Sequence, residues 1–193
     1  VNNKAKILVI EDDPLIRKAM QRTLTTAGYT VSVANDGMEG MKQVYANLPD
    51  LILLDVNMPR MDGFEVLQRV KNDPNLISIF IVILSSSRID VDSQVYGLES
   101  GADGYLTRPI TNRELLAHIE SVLRIKTAED SARKAERQLR DLINSNIDGM
   151  LVRDGEGRAR FANRAAYARL NRSPERIEGQ EIGAGRNGTD HLD

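Results

Sequence analysis

Acidic residues directly follow two of the most apolar runs in the sequence. The run KILVI leads into Glu11, Asp12 and Asp13, and the run LILL leads into Asp55. Carboxylates held within a few ångströms of one another repel, so such a group either takes up protons or binds a cation. Mg²⁺ prefers oxygen ligands and leaves positions open for phosphate oxygens. The pattern indicates a magnesium site at which Asp55 acts as a nucleophile toward a phosphoryl group.

Two further polar residues follow apolar runs and add donors suited to phosphate. Ser85 comes after IVIL and offers a hydroxyl donor, while Arg108 precedes Pro109 and offers a permanent positive charge. Each also has a plainer explanation. A serine after a strand is commonly a turn residue, an arginine is commonly solvated, and acids such as Glu11 to Asp13 can simply cap a helix. Only the combination favours a phosphate site.

The elements that would position these residues alternate between short apolar runs and amphipathic stretches as far as about residue 124. That alternation predicts a parallel sheet covered by helices. Strands are expected at residues 5–10, 30–33, 51–54, 79–84 and 104–107. Helices are expected at residues 14–27, 36–47, 62–71 and 91–100, and a fifth begins at Thr111. Functional groups in such a sheet gather beyond the carboxyl ends of the strands, so Glu11, Asp12 and Asp55 converge if the first and third strands are neighbours.

The fifth predicted helix continues past the end of this domain. Apolar and small residues recur there at alternating spacings of three and four, a heptad pattern formed by Ile125, Ala128, Ala132, Ala135, Leu139 and Leu142. Acid-before-base pairs at i,i+4, such as Glu129 with Arg133, support an exposed helix. The pattern is compatible with a coiled-coil homodimer and with a single helix packed against its own domain. We therefore divide the chain into residues 1–124, a connector at 125–144 and residues 145–193.

Composition narrows the possible functions. The chain contains no cysteine, which excludes disulfides and thiolate chemistry, and its two isolated histidines, His118 and His191, offer little for a zinc site. A net charge of −2 without a concentrated basic patch argues against binding to nucleic acid. No apolar stretch reaches the ~18 residues of a membrane helix, and the first residues lack the pattern of a signal peptide, so we expect a cytoplasmic protein.

Four motifs, LVIEDD, LLDVNMPRMDG, ILSSS and GADGYLTRPI, together resemble the receiver domain of two-component response regulators over residues 4–124. The resemblance implies an α/β fold of the flavodoxin-like type, with a five-stranded, doubly wound parallel sheet of strand order 2-1-3-4-5. It also implies that Asp55 is the phosphoacceptor. Mg²⁺ would be bound by Asp55, by Asp12 directly, by Glu11 through a water molecule and by the backbone carbonyl of Asn57.

The same resemblance assigns the signalling residues and partners. Ser85 would be the switch hydroxyl, and Tyr105 would be the aromatic residue whose rotamer reports phosphorylation on the face formed by the fourth helix, fifth strand and fifth helix. The expected donor is a histidine kinase or phosphotransfer protein, and a homodimer is expected through that face or through the connector. The domain would catalyse only its own phosphorylation and dephosphorylation. Arg108 replaces the family's usual lysine, and a planar guanidinium group is not equivalent to an ammonium group at a phosphate site.

Residues from about Asp141 to Gln180 resemble the beginning of a PAS domain, in the segments DGMLVRDGEGRARFANRAAYARL and SPERIEGQ. We expect a hairpin over residues 149–162, a helix capped by Asn163 that runs to Leu170, and a patternless remainder from Ser173. Residues 145–193 are fewer than the roughly 100 residues of a typical PAS domain. We therefore expect a partial α+β fold that is poorly ordered or paired with another chain, unless the native protein continues. No haem or flavin ligand can be assigned.

Two alternative functions remain open from the sequence. A Mg²⁺-dependent phosphatase would also use Asp55 as its nucleophile, but enzymes resembling haloacid dehalogenases carry a second aspartate at the position of Asn57, and an amide cannot act as a general acid. A dimerising scaffold with a degenerate receiver is supported by Arg108 alone. Arg108 leaves two interpretations of the receiver itself: phosphotransfer with altered switching, or an output that couples only weakly to phosphate. The intact acidic set and Asp55 favour the first.

Overall fold

The computed structural model describes residues 4–86, 101–156 and 158–170. The chain divides into two compact units, residues 1–128 and 129–193. The helix predicted at residues 91–100, the end of the predicted hairpin turn at Gly157, and the segment from Ser173 that includes His191 lie outside the described residues. Among the described helices, none is both long and apolar enough to cross a lipid bilayer.

The first unit is built on a five-stranded parallel sheet. The strands are β1 (Lys6–Ile10), β2 (Thr30–Ala34), β3 (Leu51–Asp55), β4 (Phe80–Ser86) and β5 (Gly104–Arg108). They lie in the order β2-β1-β3-β4-β5, which confirms the predicted topology. Ile10 of β1 is paired with Ala34 on one side and with Leu54 on the other. The strand order therefore reverses between β1 and β3, where folds of this type place their functional groups.

Helices cover both faces of this sheet: α1 (Pro14–Thr26), α2 (Gly37–Asn47), α3 (Gly63–Asn72) and α4 (Asn112–Ser145), which is the fifth predicted helix. Side chains along β1 alternate between the faces. Leu8 and Ile10 join the core that contains α2 and α3, whereas Ile7 and Val9 join the core that contains α1 and α4. Because both faces are buried, the central strands are apolar at nearly every position.

Polar residues fix the start of each helix around the sheet. Asp13 caps α1 by accepting hydrogen bonds from two backbone amides of the first turn, at 2.7 and 3.0 Å. Asp36 and Asp62 each accept one such hydrogen bond, at 2.8 Å, at the starts of α2 and α3. Thr111 and Glu114 form a reciprocal capping box at the start of α4. Local sequence thus determines where each helix begins, and therefore the length of the loop that precedes it.

The long C-terminal helix predicted from the sequence is confirmed, since α4 extends over 34 residues. In the first unit it packs against the sheet through Leu115, Ile119 and Val122. Lys126 is also buried, and its ammonium group donates a hydrogen bond to the carbonyl of Ser78 at 3.0 Å. From residue 127 to residue 142 every residue of the helix is exposed. The packed part of α4 therefore ends close to Lys126.

The second unit contains a short antiparallel hairpin followed by a helix: β6 (Leu151–Arg153), β7 (Ala159–Ala162) and α5 (Arg164–Leu170). Its small core consists of Ala159, Ala162 and Ala166. Asn163 caps α5, as predicted, by accepting a hydrogen bond from the amide of Ala166 at 2.9 Å. Hairpin and helix are thus joined through one capping residue.

Four strands, β2 to β5, extend by one or two residues beyond their predicted ends, and in β4 and β5 this changes the setting of two site residues. β4 continues through Ser86 rather than ending at Leu84, and β5 includes Arg108. Ser85 is therefore a strand residue, paired with Thr107, and not a turn residue. The hydrogen-bonded ladder between β4 and β5 continues past the apolar run, and an apolar pattern cannot reveal where such a ladder ends.

Candidate functional site

Glu11, Asp12 and Asp55 lie together at the carboxyl edge of the sheet. β1 and β3 are parallel neighbours, so Glu11, directly after β1, and Asp55, the last residue of β3, reach the same edge. One carboxylate oxygen from each of the three residues lies within 4.8 Å of the other two. In the described part of the chain no other group of acidic, histidine or cysteine side chains is arranged in this way. The residues that the sequence places at two strand ends therefore converge, and we call them the acidic cluster.

Asp55 is a buried carboxyl group in a negative environment. Its exposed fraction is 7% and that of Glu11 is 1%, whereas Asp12 is exposed. Burial raises the pKa of Asp55 to about 6, and the negative charges of Glu11 and Asp12 act in the same direction. The positive charge of Arg108 and a hydrogen bond from the backbone amide of Asn57 oppose this rise. A cation bound at this edge would therefore relieve an unfavourable charge.

Arg108 supplies the positive charge of the site. Its guanidinium group forms an ion pair with the carboxylate of Glu11 through Nη2, while Nη1 lies 3.5 Å from Oδ1 of Asp55. Nη2 also lies 4.0 Å from the sulfur of Met20 on α1. The Arg108 side chain is only 19% exposed, so both contacts are shielded from bulk water. A planar group with several N–H donors can contact two carboxylates at once.

Ser85 lies on the strand next to β3, beside the acidic cluster. Its neighbour Leu84 is paired with Asp55 across the sheet. The hydroxyl of Tyr105 donates a hydrogen bond to Oγ of Ser85 at 2.6 Å, and Tyr105 packs against the core that contains α2 and α3. Ser85 is almost completely buried. The hydrogen bond therefore joins β4 to β5, the strand that ends at Arg108.

Arg17, which no sequence motif marks, holds the loop that carries Glu11 and Asp12. Its Nη1 donates hydrogen bonds to the backbone carbonyls of Glu11 at 2.7 Å and Asp12 at 3.1 Å. Only the spacing in the sequence could have indicated this role. Arg17 lies one helical turn after Asp13, and a long side chain there can reach back over the start of α1. Helix capping accounts for Asp13, whereas Glu11 and Asp12 belong to the acidic cluster.

Gly63 lets the chain after Asp55 pass close to the start of α3. A Cβ atom added at Gly63 would lie 2.3 Å from the carbonyl oxygen of Asp55 and 2.9 Å from Cα of Val56. The amide of Gly63 also donates a hydrogen bond to the carbonyl of Val56 at 3.0 Å. Because the obstructing atoms belong to the backbone, any side chain at residue 63 would displace Asp55.

The acidic cluster fits a hard cation such as Mg²⁺. Its three side chains offer only carboxylate oxygens, and exposed Asp12 leaves a path for a hydrated ion. Asn57 follows β3 closely, and its amide hydrogen bond to Asp55 places its backbone at the cluster. The predicted ligand roles of Glu11, Asp12, Asp55 and the carbonyl of Asn57 stay predictions.

Comparison with known proteins identifies the family. The sequence profile described as "Response regulator receiver domain" matches residues 7–120, which is more than half of the chain. The chain belongs to the response regulator receiver family. All the residues of the site described above lie within the part matched to the receiver family.

Individual relatives agree with the receiver assignment. The chain is 37% identical to "Response regulator MprA" of Mycobacterium leprae over 137 residues, which are 71% of this chain and 59% of MprA. A putative response regulator of Chloroflexus aurantiacus (32% identity, TM-score 0.59) and the chemotaxis protein CheY4 of Vibrio cholerae (33% identity, TM-score 0.58) share the receiver fold. These matches cover 62% and 61% of this chain, and 98% of each solved structure. The match to MprA thus spans less than two thirds of that protein.

Proposed function

We propose that this chain is a phosphoacceptor module of a two-component phosphorelay, in which Asp55 receives a phosphoryl group from a histidine kinase or phosphotransfer protein with the assistance of Mg²⁺. The observation that carries the proposal is the acidic cluster itself. Asp55 is buried, two further carboxylates have oxygens within 4.8 Å, and a guanidinium group lies beside it. Membership of the receiver family supports the same assignment.

Asp55 is the nucleophile in the proposed reaction. One of its carboxylate oxygens attacks the phosphorus of the donor's phosphohistidine, and the bond between phosphorus and the imidazole nitrogen breaks, which leaves an aspartyl phosphate. Bound Mg²⁺ would offset the negative charge on the transferring group. The proposed ligands are Asp55, Asp12, the backbone carbonyl of Asn57 and, through a water molecule, Glu11.

Ser85, Arg108 and Tyr105 connect phosphorylation to signalling in this proposal. Ser85 accepts a hydrogen bond from Tyr105, so its own hydroxyl proton is available for a phosphoryl oxygen. Arg108 lies close enough to Asp55 to move an N–H contact from the carboxylate to the phosphoryl group. Both changes act on β4 and β5, so we place the reporting surface around Tyr105. The helix predicted at residues 91–100, which would complete this surface, lies outside the described residues.

An apolar groove near Asp55 supports docking of a protein donor. A cavity of about 420 Å³ lies between α1 and the connection from β5 to α4, and Arg108 forms part of its wall. Leu15, at the start of α1, is 78% exposed. Exposed apolar surface beside a reactive group is characteristic of a protein-binding site. The apolar lining of the groove includes Ile16, Met20, Leu84, Pro109, Ile110 and Leu115.

The connector and the second unit form the proposed output path. We assign the receiver to residues 1–124, a signalling helix to residues 125–144 and a partial PAS-like domain to residues 145–193. The heptad pattern and the exposure of α4 support a homodimer through the connector, with the face around Tyr105 as the other candidate interface. The hairpin and the capped helix α5 support the PAS-like assignment. That this chain does not bind nucleic acid stays a prediction.

Incubation of the protein with Mg²⁺ and acetyl phosphate tests the proposal. Intact-mass spectrometry should detect the addition of one phosphoryl group, and the addition should be absent from Asp55→Asn and from samples containing EDTA. Asp13→Asn is the matched control, because asparagine also caps helices and Asp13 lies outside the acidic cluster. Sustained hydrolysis of diverse phosphoesters would indicate a phosphatase instead. A folded wild-type protein that does not label would indicate a degenerate scaffold.

A further inference from the structure

Arg60 has an unusual backbone conformation in the β3–α3 loop, residues 56–62. Its φ angle is 74°, in the left-handed region that residues with a side chain rarely adopt. Glycine would adopt this angle without strain, yet the sequence has arginine there. A strained backbone angle persists only where the surrounding structure stabilises it, and such angles are common near functional sites. Contacts that hold Arg60 from outside the loop are therefore expected.

The side chain of Arg60 leaves the β3–α3 loop and forms an ion pair with Asp36. Asp36 lies between β2 and α2, and its side chain is only 6% exposed, whereas that of Arg60 is 65% exposed. The two oxygens of Asp36 have separate partners. Oδ1 accepts a hydrogen bond from the amide of Glu39 at 2.8 Å, and Oδ2 pairs with the guanidinium group. A buried carboxylate that caps α2 thus also binds the β3–α3 loop.

A second contact joins the same two parts of the chain next to the ion pair. Met61, which follows Arg60, is 3% exposed and packs on Gly37, which follows Asp36. A Cβ atom added at Gly37 would lie only 2.7 Å from the carbonyl oxygen of Met61. The β3–α3 loop is therefore held against the start of α2 at two consecutive residues, once by charge and once by close packing.

The same loop contains the backbone that contacts Asp55. The amide of Asn57 donates a hydrogen bond to Asp55, and the carbonyl of Asn57 is a proposed ligand of Mg²⁺. The side chain of Asn57 is exposed, so packing of that side chain does not fix its backbone. The position of Asn57 depends instead on β3 before it and on the contacts of Arg60 and Met61 after it.

We propose that Arg60 is a positioning residue of the phosphorylation site, and that its ion pair with Asp36 holds the backbone of Asn57 in place for Mg²⁺ binding. The inference rests on the proposed function of the acidic cluster as a magnesium-dependent phosphorylation site. It goes beyond that function because it gives a role to two residues outside the cluster. Loss of the ion pair raises the Mg²⁺ concentration that phosphorylation requires and leaves the nucleophile intact.

Charge and positioning predict opposite effects of a change at Arg60. Removal of a positive charge from the same edge of the domain would, by charge alone, strengthen the binding of a cation to the acidic cluster. Loss of the contact with Asp36 would weaken Mg²⁺ binding, because the loop would then have to be ordered when the metal binds. The sign of the change in Mg²⁺ affinity therefore separates the two explanations.

Calorimetric titration of the full chain with Mg²⁺, at pH 8 so that Asp55 is ionised, tests the inference. Arg60→Gln should bind Mg²⁺ about two- to fivefold more weakly than the wild type, the range that a partly exposed ion pair can contribute. Arg60→Lys should recover much of this loss, because lysine keeps the charge and can pair with a carboxylate. Arg69→Gln is the matched control and should bind as the wild type does, because it breaks only the exposed pair with Glu65 on α3.

Asp36→Asn tests the ion pair from its other side. Asparagine also caps helices, so its side-chain oxygen can keep the hydrogen bond from the amide of Glu39 while the charge is lost. The double variant that combines Asp36→Asn with Arg60→Gln has the net charge of the wild type. Positioning predicts that this double variant binds Mg²⁺ as weakly as Arg60→Gln does, whereas a pure charge effect predicts the affinity of the wild type.

Labelling with acetyl phosphate and hydrogen exchange give readouts that a general loss of stability would not reproduce. Arg60→Gln should require more Mg²⁺ for half-maximal labelling and reach the labelling of the wild type at saturating Mg²⁺. The amides of Met61 and Gly63 donate to the carbonyls of Pro59 and Val56 in the loop. In Arg60→Gln these two amides should exchange faster, while amides in β1 and β3 stay protected.

The outcomes separate failure of this inference from failure of the proposed function. If the wild type binds Mg²⁺ and is labelled, an Arg60→Gln variant of equal or higher Mg²⁺ affinity would overturn the inference alone. A double variant with the Mg²⁺ affinity of the wild type would overturn it as well. If the wild type shows no saturable Mg²⁺ binding or is not labelled, the proposed function fails and the inference fails with it.

Discussion

Asp55 is held in a setting that makes its ionised form unfavourable. Burial and the neighbouring charge of Glu11 raise its pKa from 3.8 to about 6. The folded protein therefore binds this proton more tightly than the unfolded chain does. Between pH 4 and pH 6 the folded state holds more protons, so the contribution of Asp55 to stability falls as the pH rises through that range and is least favourable above pH 6.

Asp55→Asn should therefore stabilise the metal-free protein at neutral pH. We expect the free energy of unfolding at pH 7.5 to rise by up to about 3 kcal/mol, and the gain to disappear near pH 4. Urea denaturation in EDTA at the two pH values measures it. Asp13→Asn should give no such gain, because hydrogen bonds from the amides of Ile16 and Leu15 lower the pKa of Asp13. Equal stability of Asp55→Asn and the wild type at pH 7.5 would show that the ionised carboxylate of Asp55 does not destabilise the fold.

The side chain of Arg17 holds the loop of the acidic cluster through the backbone carbonyls of Glu11 and Asp12, and not through their carboxylates. Arg17→Gln removes the hydrogen bonds to the carbonyls of Glu11 and Asp12, and should lower the free energy of unfolding by about 1–2 kcal/mol. The loop that carries both carboxylates loosens, so Mg²⁺ affinity should also fall several-fold. Calorimetric titration and urea denaturation measure the two effects. Arg22→Gln, on the exposed side of α1, should change neither, and an unaltered Mg²⁺ affinity in Arg17→Gln would rule out a positioning role.

Among the elements of the second unit, the end of α4, the hairpin and α5 meet at the side chain of Asn163. Its Nδ2 donates hydrogen bonds to the carbonyls of Ile143 at 3.0 Å and Asp148 at 2.8 Å. Its Oδ1 accepts hydrogen bonds from the amides of Met150 at 2.8 Å and Ala166 at 2.9 Å. Asn163 is completely buried. If its side chain were removed, water could not readily replace the hydrogen bonds that its backbone partners would lose. A change at the end of α4 can therefore reach the hairpin through this residue.

Asn163→Ala should loosen the second unit selectively. Four hydrogen bonds are lost in a buried position, so we expect a destabilisation of roughly 2–4 kcal/mol in this unit. Hydrogen exchange should accelerate at the amides of Met150 and Ala166 while amides in β1 and β3 stay protected. Asn144→Ala, which removes one exposed hydrogen bond from the amide of Arg164, is the matched control. Unchanged exchange in Asn163→Ala would show that the unit is held together by other contacts.

The elements could be predicted from sequence where periodicity and capping residues agree. β1 is apolar after Lys6 and β3 is apolar as far as Asp55, and Asp13, Asp36 and Asp62 mark the helix starts, so the type of these elements and their order along the chain were predictable. The ends of β4 and β5 were not predictable. They are determined by the backbone hydrogen bonds between the two strands, and the types of the side chains do not reveal where those bonds stop.

The acidic cluster was predictable because parallel strands bring their carboxyl ends to one edge, whichever loops follow. The contact between Arg108 and Glu11 could not be predicted in the same way. The two residues lie 97 positions apart, and tertiary packing, which also brings the guanidinium group to 4.0 Å from the sulfur of Met20, determines which carboxylates it reaches. Arg17 was missed for a similar reason, since its partners are backbone carbonyls, which carry no sequence signal.

For the chain as a whole, the connector should control oligomeric state. Leu139 and Leu142 are 59% and 69% exposed, and both belong to the heptad pattern of α4. Changing both to serine should shift the protein from dimer to monomer, because the seam loses its largest apolar residues. A concentration series by light scattering measures the shift. The matched control changes Arg137 and Asp141 to serine outside the heptad positions, and an oligomeric state that both double variants share would contradict the coiled coil.

The central claim is that Asp55, and no other carboxylate of the acidic cluster, receives the phosphoryl group. Borohydride reduces an aspartyl phosphate to homoserine, so peptide mass spectrometry after labelling with acetyl phosphate and reduction identifies the modified residue. We predict homoserine at residue 55 in the presence of Mg²⁺ and unmodified aspartate there in EDTA. Reduction at Glu11 or Asp12 in place of Asp55, or no reduced residue in a folded and Mg²⁺-loaded protein, would contradict the account.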